Sequence, residues 1–260
     1  MANTPVVVLD DTLTNIANAI RGKNGSSDKY KPGQMADAID NISAGGTGIP
    51  REVIDGVYKI PEATSFSLPS NATNVGKWAL RYAFDSHPSL TSVDLSSLTA
   101  ASGEMALYKA FNGCTALTSV DLSSLTTANG YNVLAYAFAD CTNLTSVDLS
   151  SLATVGGQAV FKYAFRGCTK LTSVNFSSLA NLVGQSSFLY AFYNCSSLTS
   201  LSFPALKADS FKFEVSQFDS MLIGVTGCTI HFPAAIQAKI ETLTGYPNFG
   251  GTNTTVLFDL

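Results

Sequence analysis

Cysteine side chains recur at a constant interval in this sequence. Cys114, Cys141, Cys168 and Cys195 are each 27 residues apart, and His87 stands one interval before them. Thiols and imidazoles are nucleophiles and metal ligands, but no Cys-x-x-Cys pair is present, and nothing beside His87 and Cys114 supplies an oxyanion donor or a third orienting group. Disulfides between parallel side chains would distort a regular stack. The spacing instead predicts a column of buried thiols that pack as small apolar groups.

Carboxylates recur at the same interval. Asp94, Asp121 and Asp148 form one set, which Asn175 continues. We expect these side chains to face outward, about 5 Å apart on neighbouring strands. Calcium requires roughly six to eight oxygen ligands, of which this column supplies only a few. We therefore interpret the column as a solvated charged face, with a weak cation site as the alternative.

The cysteines and the carboxylates both belong to one repeated sequence unit. The string LTSVDLSSL begins at Leu90, Leu117 and Leu144, and variants of it begin at Leu171 and Leu198. An Ala-Phe pair keeps the same 27-residue step, with its aromatic residue at Phe84, Phe111, Phe138, Phe165 and Phe192. That step lies within the range of roughly 20–29 residues typical of leucine-rich repeats. The pattern predicts about seven stacked coils.

Within a coil, apolar positions alternate with polar ones. Val93 and Leu95 flank Asp94, as in a short strand with one buried face. Neighbouring coils should pair these strands in parallel, and the stack supplies the stability that one coil lacks. A recurring glycine is interpreted as a position of positive φ, and it occurs at Gly76, Gly103, Gly130, Gly157 and Gly184. We therefore expect an α/β solenoid, a leucine-rich-repeat coil stack with a parallel strand ladder.

The unit A-F-x-x-C-x-x-L-x-x-V-x-L resembles the BspA-type leucine-rich repeat family. It stands here as AFNGCTALTSVDL, AFADCTNLTSVDL, AFRGCTKLTSVNF and AFYNCSSLTSLSF. Members of that family commonly are bacterial surface adhesins, and similar repeats occur in phage tail proteins. The resemblance therefore implies a solenoid with a binding function, but likeness of fold does not fix function.

The two ends differ from the repeat. Residues 1–48 are expected to form a helical pair, with Leu13, Ile16 and Ile20 on one apolar face, followed by a Gly-rich linker. This segment resembles a module at the N-termini of phage tail and baseplate proteins, although a simple N-terminal cap is the alternative. The solenoid should occupy residues 49–232. Residues 233–260 should form a C-terminal cap of one helix and one strand.

Composition excludes several classes of protein. Charged residues make up only 13% of the chain and the net charge is −4 without a basic run, which argues against nucleic acid as a partner. No apolar stretch is long enough for membrane insertion. The chain contains two histidines and neither a nucleophile motif nor a phosphate loop. We therefore expect no enzyme activity, no cofactor and no metal site.

Outward positions before each repeated Phe vary from coil to coil. Residues of the types that anchor interfaces fall on three neighbouring coils. They are Trp78, Arg81, Met105, Tyr108 and Tyr131. A binding patch and unconstrained drift of surface residues are both compatible with this variation.

Two kinds of binding protein are compatible with these features. The main expectation is a phage tail-associated virion protein for structure or host recognition, because the N-terminus lacks a signal peptide. The alternative is a bacterial cell-surface or secreted adhesin. Expected partners are a host cell-surface protein or glycan, other tail proteins through residues 1–48, and a second copy of the chain.

Overall fold

The computed structural model describes residues 64–68, 73–210 and 216–260. The expected helical pair at residues 1–48 lies outside the described residues, as does the beginning of the first coil. Within the described part, short strands follow one another at regular intervals. In chain order they are β1 (Ser65–Ser67), β2 (Asn74–Val75), β3 (Ser92–Asp94), β4 (Ala100–Ala101), β5 (Ser119–Asp121), β6 (Thr127–Ala128), β7 (Ser146–Asp148), β8 (Thr154–Val155), β9 (Ser173–Asn175), β10 (Asn181–Leu182), β11 (Ser200–Ser202), β12 (Thr229–His231) and β13 (Thr255–Leu257).

Two parallel ladders run along the stack, as the repeat predicts. The first joins β1, β3, β5, β7 and β9, and β11, β12 and β13 form a further parallel sheet beside it. The second ladder joins β2, β4, β6, β8 and β10. Pairing within the first ladder keeps the 27-residue step, with Val93 opposite Val120 and Val120 opposite Val147. Among the described residues, the first ladder and the further sheet together contain eight strands, as in a solenoid of about seven turns.

The strand pattern has the expected physical origin. In β5, Val120 is buried while Ser119 and Asp121 are exposed, because successive residues of a strand point to opposite faces. Phe111 and Phe138 fill the opposite side of the core, with ring centroids 5.6 Å apart and planes only 5° from parallel. The predicted core column of Ala-Phe pairs is therefore confirmed.

The remaining side of each coil is a run of turns, which corrects the α/β class. In the first such run, Ala79 N–H donates to the carbonyl of Gly76 within the coil, at 3.2 Å. Trp78 N–H donates instead to the carbonyl of Glu104 in the next coil, at 3.0 Å. These two bond types alternate along the segment, so it cannot form a helix, whose N–H groups all bond within it. The solenoid is a β-solenoid with little helix.

The turns require an uncommon backbone conformation at every fourth residue. Trp78, Tyr82 and Ser86 have φ of 63°, 59° and 62°, and the same columns repeat in later coils. Positive φ at the third residue is a property of type II turns. Along the segment, pairs of buried residues alternate with pairs of more exposed ones. Ala79 and Leu80 form one of the buried pairs. The period of four residues is close to that of a helix, although the backbone of this side of the α/β solenoid predicted above is a run of turns.

The recurring glycines have a different cause from the expected one. Gly103, Gly130 and Gly157 do not have positive φ. A Cβ at Gly130 would overlap the carbonyl group of Gly103, and a Cβ at Gly157 would overlap that of Gly130. These glycines are needed because the backbones of stacked coils approach each other closely at this corner.

Helical structure is sparse in the described residues. It comprises one four-residue α-helix, α1 (Gln237–Ile240), and the 3-10 turns Ala208–Ser210 and Ala234–Ile236. After α1 the chain returns as β13, which pairs in parallel with β12. These elements lie where a cap of helix and strand was expected, and their role as a cap stays a prediction.

Candidate functional site

The cysteine column is buried, as predicted. Cys114, Cys141, Cys168 and Cys195 are fully buried and unpaired. Each thiol donates to a carbonyl one coil earlier, as from Cys168 to Phe138 at 3.0 Å. Burial raises the pKa of Cys114 and Cys195 to about 12, and raises that of Cys141 and Cys168. A buried, protonated thiol is a poor nucleophile.

The aspartate column has a local structural task that sequence reasoning missed. Asp121 Oδ1 accepts the backbone N–H of Ser123 at 2.9 Å, which closes the turn after β5. The same bond recurs at Asp94 and Asp148, and Asn175 Oδ1 makes it to Ser177 at 3.0 Å. The signal in the sequence is the spacing Asp-x-Ser, since Asp and Asn bond the backbone two residues on. Among the described residues, no group of three His, Cys, Asp or Glu side chains could hold a metal ion.

Three of the five candidate binding residues come together. The Arg81 guanidinium carbon lies 5.8 Å from the ring centroids of both Trp78 and Tyr108. Lys77 Nζ lies 4.5 Å from the Trp78 ring and 2.8 Å from a carboxylate oxygen of Glu104. We call Trp78, Arg81 and Tyr108 the cation–aromatic cluster.

The other two candidates lie beside the cluster on the same turn face. Met105 occupies the column of Trp78 one coil later, and its N–H donates to the carbonyl of Tyr131 at 2.8 Å. Tyr131 is 45% exposed, as is Trp78, whereas Met105 is half-buried. The position of Arg81 does not face outward in every coil, because Ala135, which occupies it two coils later, is fully buried.

A line of tyrosines crosses the same turn face, and sequence reasoning did not single it out. The rings touch in series, with centroids 5.5, 5.9, 4.8 and 4.7 Å apart. All are half-buried. We call this set the tyrosine stripe: Tyr82, Tyr108, Tyr136, Tyr163 and Tyr190. The available signal was a further column with a 27-residue step, in which Lys109 replaces a tyrosine.

Basic side chains accompany the stripe. Lys109 Nζ lies 5.8, 6.0 and 5.4 Å from the ring centroids of Tyr82, Tyr108 and Tyr136. The Arg81 guanidinium carbon lies 5.0 Å from the centroid of Tyr82. Burial raises the pKa of Tyr108 and Tyr136, so both phenols are protonated at neutral pH. The turn face therefore combines aromatic rings, hydroxyl groups and cations, a composition suited to binding rather than to covalent chemistry.

A parallel solenoid with such a surface belongs to the class of repeat proteins that bind through an extended face. Residues 55–189 and 135–226 match the family described as the BspA type leucine-rich repeat region, in six copies. Together they span residues 55–226, or 172 of 260. The chain belongs to the BspA-type leucine-rich repeat family, as its repeat unit indicated.

Several solved structures resemble the chain. The pneumococcal vaccine antigen PcpA is 16% identical over 76% of this chain and 42% of that one, with a TM-score of 0.46. A leucine-rich repeat protein of Eubacterium ventriosum is 23% identical over 53% of this chain and 38% of that one, with a TM-score of 0.32. A leucine-rich cell surface protein of Faecalibacterium prausnitzii is 16% identical over 78% of this chain and 62% of that one, with a TM-score of 0.31.

The chain therefore spans less than two thirds of each of these three proteins. Likenesses at this level of identity and TM-score carry no information on function. A comparison with curated proteins gave no significant match. In the part of the chain that the structure describes, no helix combines the length and apolar character needed to cross a bilayer.

Proposed function

We propose that this chain is a non-enzymatic binding protein, an adhesin that acts at a bacterial cell surface or after secretion. Membership of the BspA-type family supports this role, because its members commonly are surface adhesins. The phage-tail role expected above depends on residues 1–48, which lie outside both the family match and the described residues. Neither that resemblance nor the N-terminal sequence pattern has support from the family match, which favours the cell-surface or secreted alternative.

The observation that carries the proposal is the exposure of large aromatic side chains beside cations. Trp78 and Tyr131 are each 45% exposed, although burial would stabilise such rings. Tryptophan, tyrosine and arginine are the residue types that most often dominate binding energy at interfaces. We propose that the cation–aromatic cluster, with Met105 and Tyr131, contacts a host cell-surface protein or glycan. A second copy of the chain is a further candidate partner.

The absence of catalysis is part of the proposal. The buried thiols of the cysteine column are inaccessible to substrates. The carboxylates of Asp94, Asp121 and Asp148 are occupied with turn N–H groups. The thiol of Cys114, which follows His87 in the column, donates to the carbonyl of Phe84 at 3.0 Å.

The proposal is tested by measuring binding of the intact, fluorescently labelled chain to host epithelial cells. The double variant Trp78→Ala/Tyr131→Ala should weaken binding at least about tenfold, since truncation of such anchors typically costs about 2 kcal/mol each. Its melting temperature should change little, because both side chains are solvent-facing. The matched control, Ser119→Ala/Ser146→Ala, alters exposed positions on the strand face and should bind normally.

Two results would contradict the proposal in different ways. Unchanged binding by the aromatic variant would remove Trp78 and Tyr131 from the binding surface. No binding by the intact chain to any host cell would remove the adhesive function itself.

A further inference from the structure

The tyrosine stripe forms a narrow track along the solenoid axis. It crosses five coils, and its consecutive rings lie 4.7–5.9 Å apart. From Tyr136 to Tyr190 the spacing is close to the roughly 4.8 Å between stacked strands, so these coils each add one ring in register. Tyr108, from the adjacent column, bridges the wider interval between Tyr82 and Tyr136. A ligand that contacts the whole stripe must be extended and must run across the coils.

The far end of the stripe presents ring edges rather than ring faces. Tyr136, Tyr163 and Tyr190 stack on one another, with interplanar angles of 19° and 8°. Their faces cover each other, and the Tyr193 ring packs obliquely against Tyr163 and Tyr190. A ligand can therefore meet the remaining ring edges and the phenol groups. The edge of an aromatic ring carries the positive part of its quadrupole, and a protonated phenol donates a hydrogen bond. This part of the stripe therefore favours acceptor and anionic groups.

The near end of the stripe carries cations without a carboxylate partner. Neither Arg81 nor Lys109 forms an ion pair within the described residues, in contrast to Lys77 beside Glu104. The Nε of Arg81 is buried and has no hydrogen-bond partner there. Further along, the positive charge of Arg166 acts on Tyr136 and Tyr163 and partly offsets the burial that raises their pKa. Unneutralised cations at an aromatic surface favour an anionic ligand.

The distribution of charge selects the kind of anion. Arg81 and Lys109 lie at one end and Arg166 lies two coils further on, with uncharged phenols between them. Asp85 donates its backbone N–H to the carbonyl of Tyr82 and Asp140 donates its own to the carbonyl of Arg166, so both lie in the turn runs that carry the stripe. The chain as a whole carries a net charge of −4. A polymer with a phosphate at every unit would meet repulsion from these carboxylates. A chain of sugars with intermittent acidic groups offers hydroxyls to the phenols and carboxylates to the cations.

We propose that the tyrosine stripe binds a linear acidic polysaccharide along its length. This inference rests on the proposed binding function and assigns it a ligand class and a surface. Individual contacts on so shallow a surface are weak, so affinity depends on engaging several coils at once. Long chains of the polysaccharide should accordingly bind more tightly than short fragments.

The test measures affinity of the intact chain for immobilised hyaluronate, with dextran as the neutral polysaccharide and a single-stranded DNA oligonucleotide as the dense polyphosphate. Binding should be strongest for hyaluronate and should weaken as salt is added. Lys109→Gln should weaken it by about tenfold, the value of one charge-assisted hydrogen bond. The matched control is Lys170→Gln, which removes an equal charge outside the stripe, where Nζ lies 2.7 Å from Asn143 Oδ1. It should bind hyaluronate normally.

Lys109 packs among three rings, so its substitution could destabilise the fold. A second variant separates loss of binding from loss of folding. Arg166 is exposed, so Arg166→Gln should leave the melting temperature unchanged and still weaken hyaluronate binding. Equal binding to dextran, tighter binding to DNA, or full affinity in both stripe variants would overturn the inference. A chain that adheres to cells through Trp78 and Tyr131 but binds no acidic polysaccharide would refute the inference and leave the proposed function standing.

Discussion

The thiol of Cys141 lies 3.0 Å from the carbonyl oxygen of Phe111 in the preceding coil. The same contact recurs at Cys114 and at Cys168, so the sulfur column ties each coil to the one before it. This contact gives the cysteine a task that an alanine of similar burial cannot perform, because the carbonyl would lose a donor. The repeated cysteine is thus a structural residue, and reactivity is suppressed by its surroundings.

Thiol reactivity is the first prediction. Burial raises the pKa of Cys114 and Cys195 to about 12 from an ordinary value of 9.0, which lowers the thiolate fraction at neutral pH by roughly a thousandfold. All four thiols of the column should react slowly with an alkylating reagent in the native chain and completely after denaturation. Mass spectrometry counts the labels. Rapid native labelling at any of these positions would contradict the buried column.

Substitution at Cys141 tests the same contact energetically. Cys141→Asp would place an unpaired carboxylate in the core and should lower the free energy of unfolding by roughly 3–5 kcal/mol. Cys141→Ser keeps a donor for the Phe111 carbonyl and should cost only about 1–2 kcal/mol. Denaturant titration measures both values. If aspartate were tolerated as well as serine, the column would have access to solvent.

The glycine column gives a prediction that separates two causes. If Gly130 were required for positive φ, Gly130→Asn would be tolerated, because asparagine adopts that conformation readily. Since the obstacle is the backbone of Gly103, asparagine and alanine should both destabilise by about 3 kcal/mol or more. The control is Gly227→Ala, where φ is 72° and nothing lies near the added Cβ. It should cost only about 1–2 kcal/mol. Thermal melting of the three variants decides between the two causes.

Much of this architecture could be predicted from the repeat alone. The 27-residue step fixes which residues share a column, and alternation at Val93 and Leu95 fixes which face of the strand is buried. The same reasoning did not distinguish a helix from a run of turns, because buried pairs such as Ala79–Leu80 recur every four residues in both. The close approach at Gly130 depends on the distance between the backbones of adjacent coils, and this distance cannot be derived from the sequence of one repeat.

The candidate site was predicted only in part, for a related reason. Trp78, Arg81 and Tyr108 stood out as unusual residues in otherwise uniform columns. The tyrosine stripe escaped notice because Tyr108 belongs to a different column from Tyr82 and Tyr136. In that coil Lys109 occupies the position that is tyrosine in the other coils. The neighbouring residue, Tyr108, reaches the same surface and so completes the stripe. Such a crossing between columns is visible in three dimensions but not in an alignment of repeats.

The aspartate turns predict a dependence of stability on acid. The pKa of Asp94 is lowered from its ordinary value of 3.8, chiefly by hydrogen bonds from Ser96. A depressed folded-state pKa contributes stability above the unfolded value, and this contribution is lost as the pH falls through the folded value. Asp94→Asn, which keeps the acceptor as Asn175 does, should reduce the acid sensitivity below about pH 4. Asp94→Ala should lose stability at every pH. Melting curves across the acid range give the comparison, and equal acid sensitivity of wild type and Asp94→Asn would refute this role.

Three tyrosines of the stripe predict a dependence of stability on alkaline pH. Burial raises the pKa of Tyr108, Tyr136 and Tyr163 above the ordinary value of 10.0. A folded-state pKa above the unfolded one contributes stability that is present below about pH 10 and is lost as the pH rises through the folded value. Tyrosinate absorbance of the native chain should therefore develop at higher pH than that of the unfolded chain. Tyr163→Phe keeps the stacked ring and should remove one of these delayed ionisations. If tyrosinate absorbance of the native chain developed at the same pH as that of the unfolded chain, the phenols of Tyr108, Tyr136 and Tyr163 would not be shielded from water.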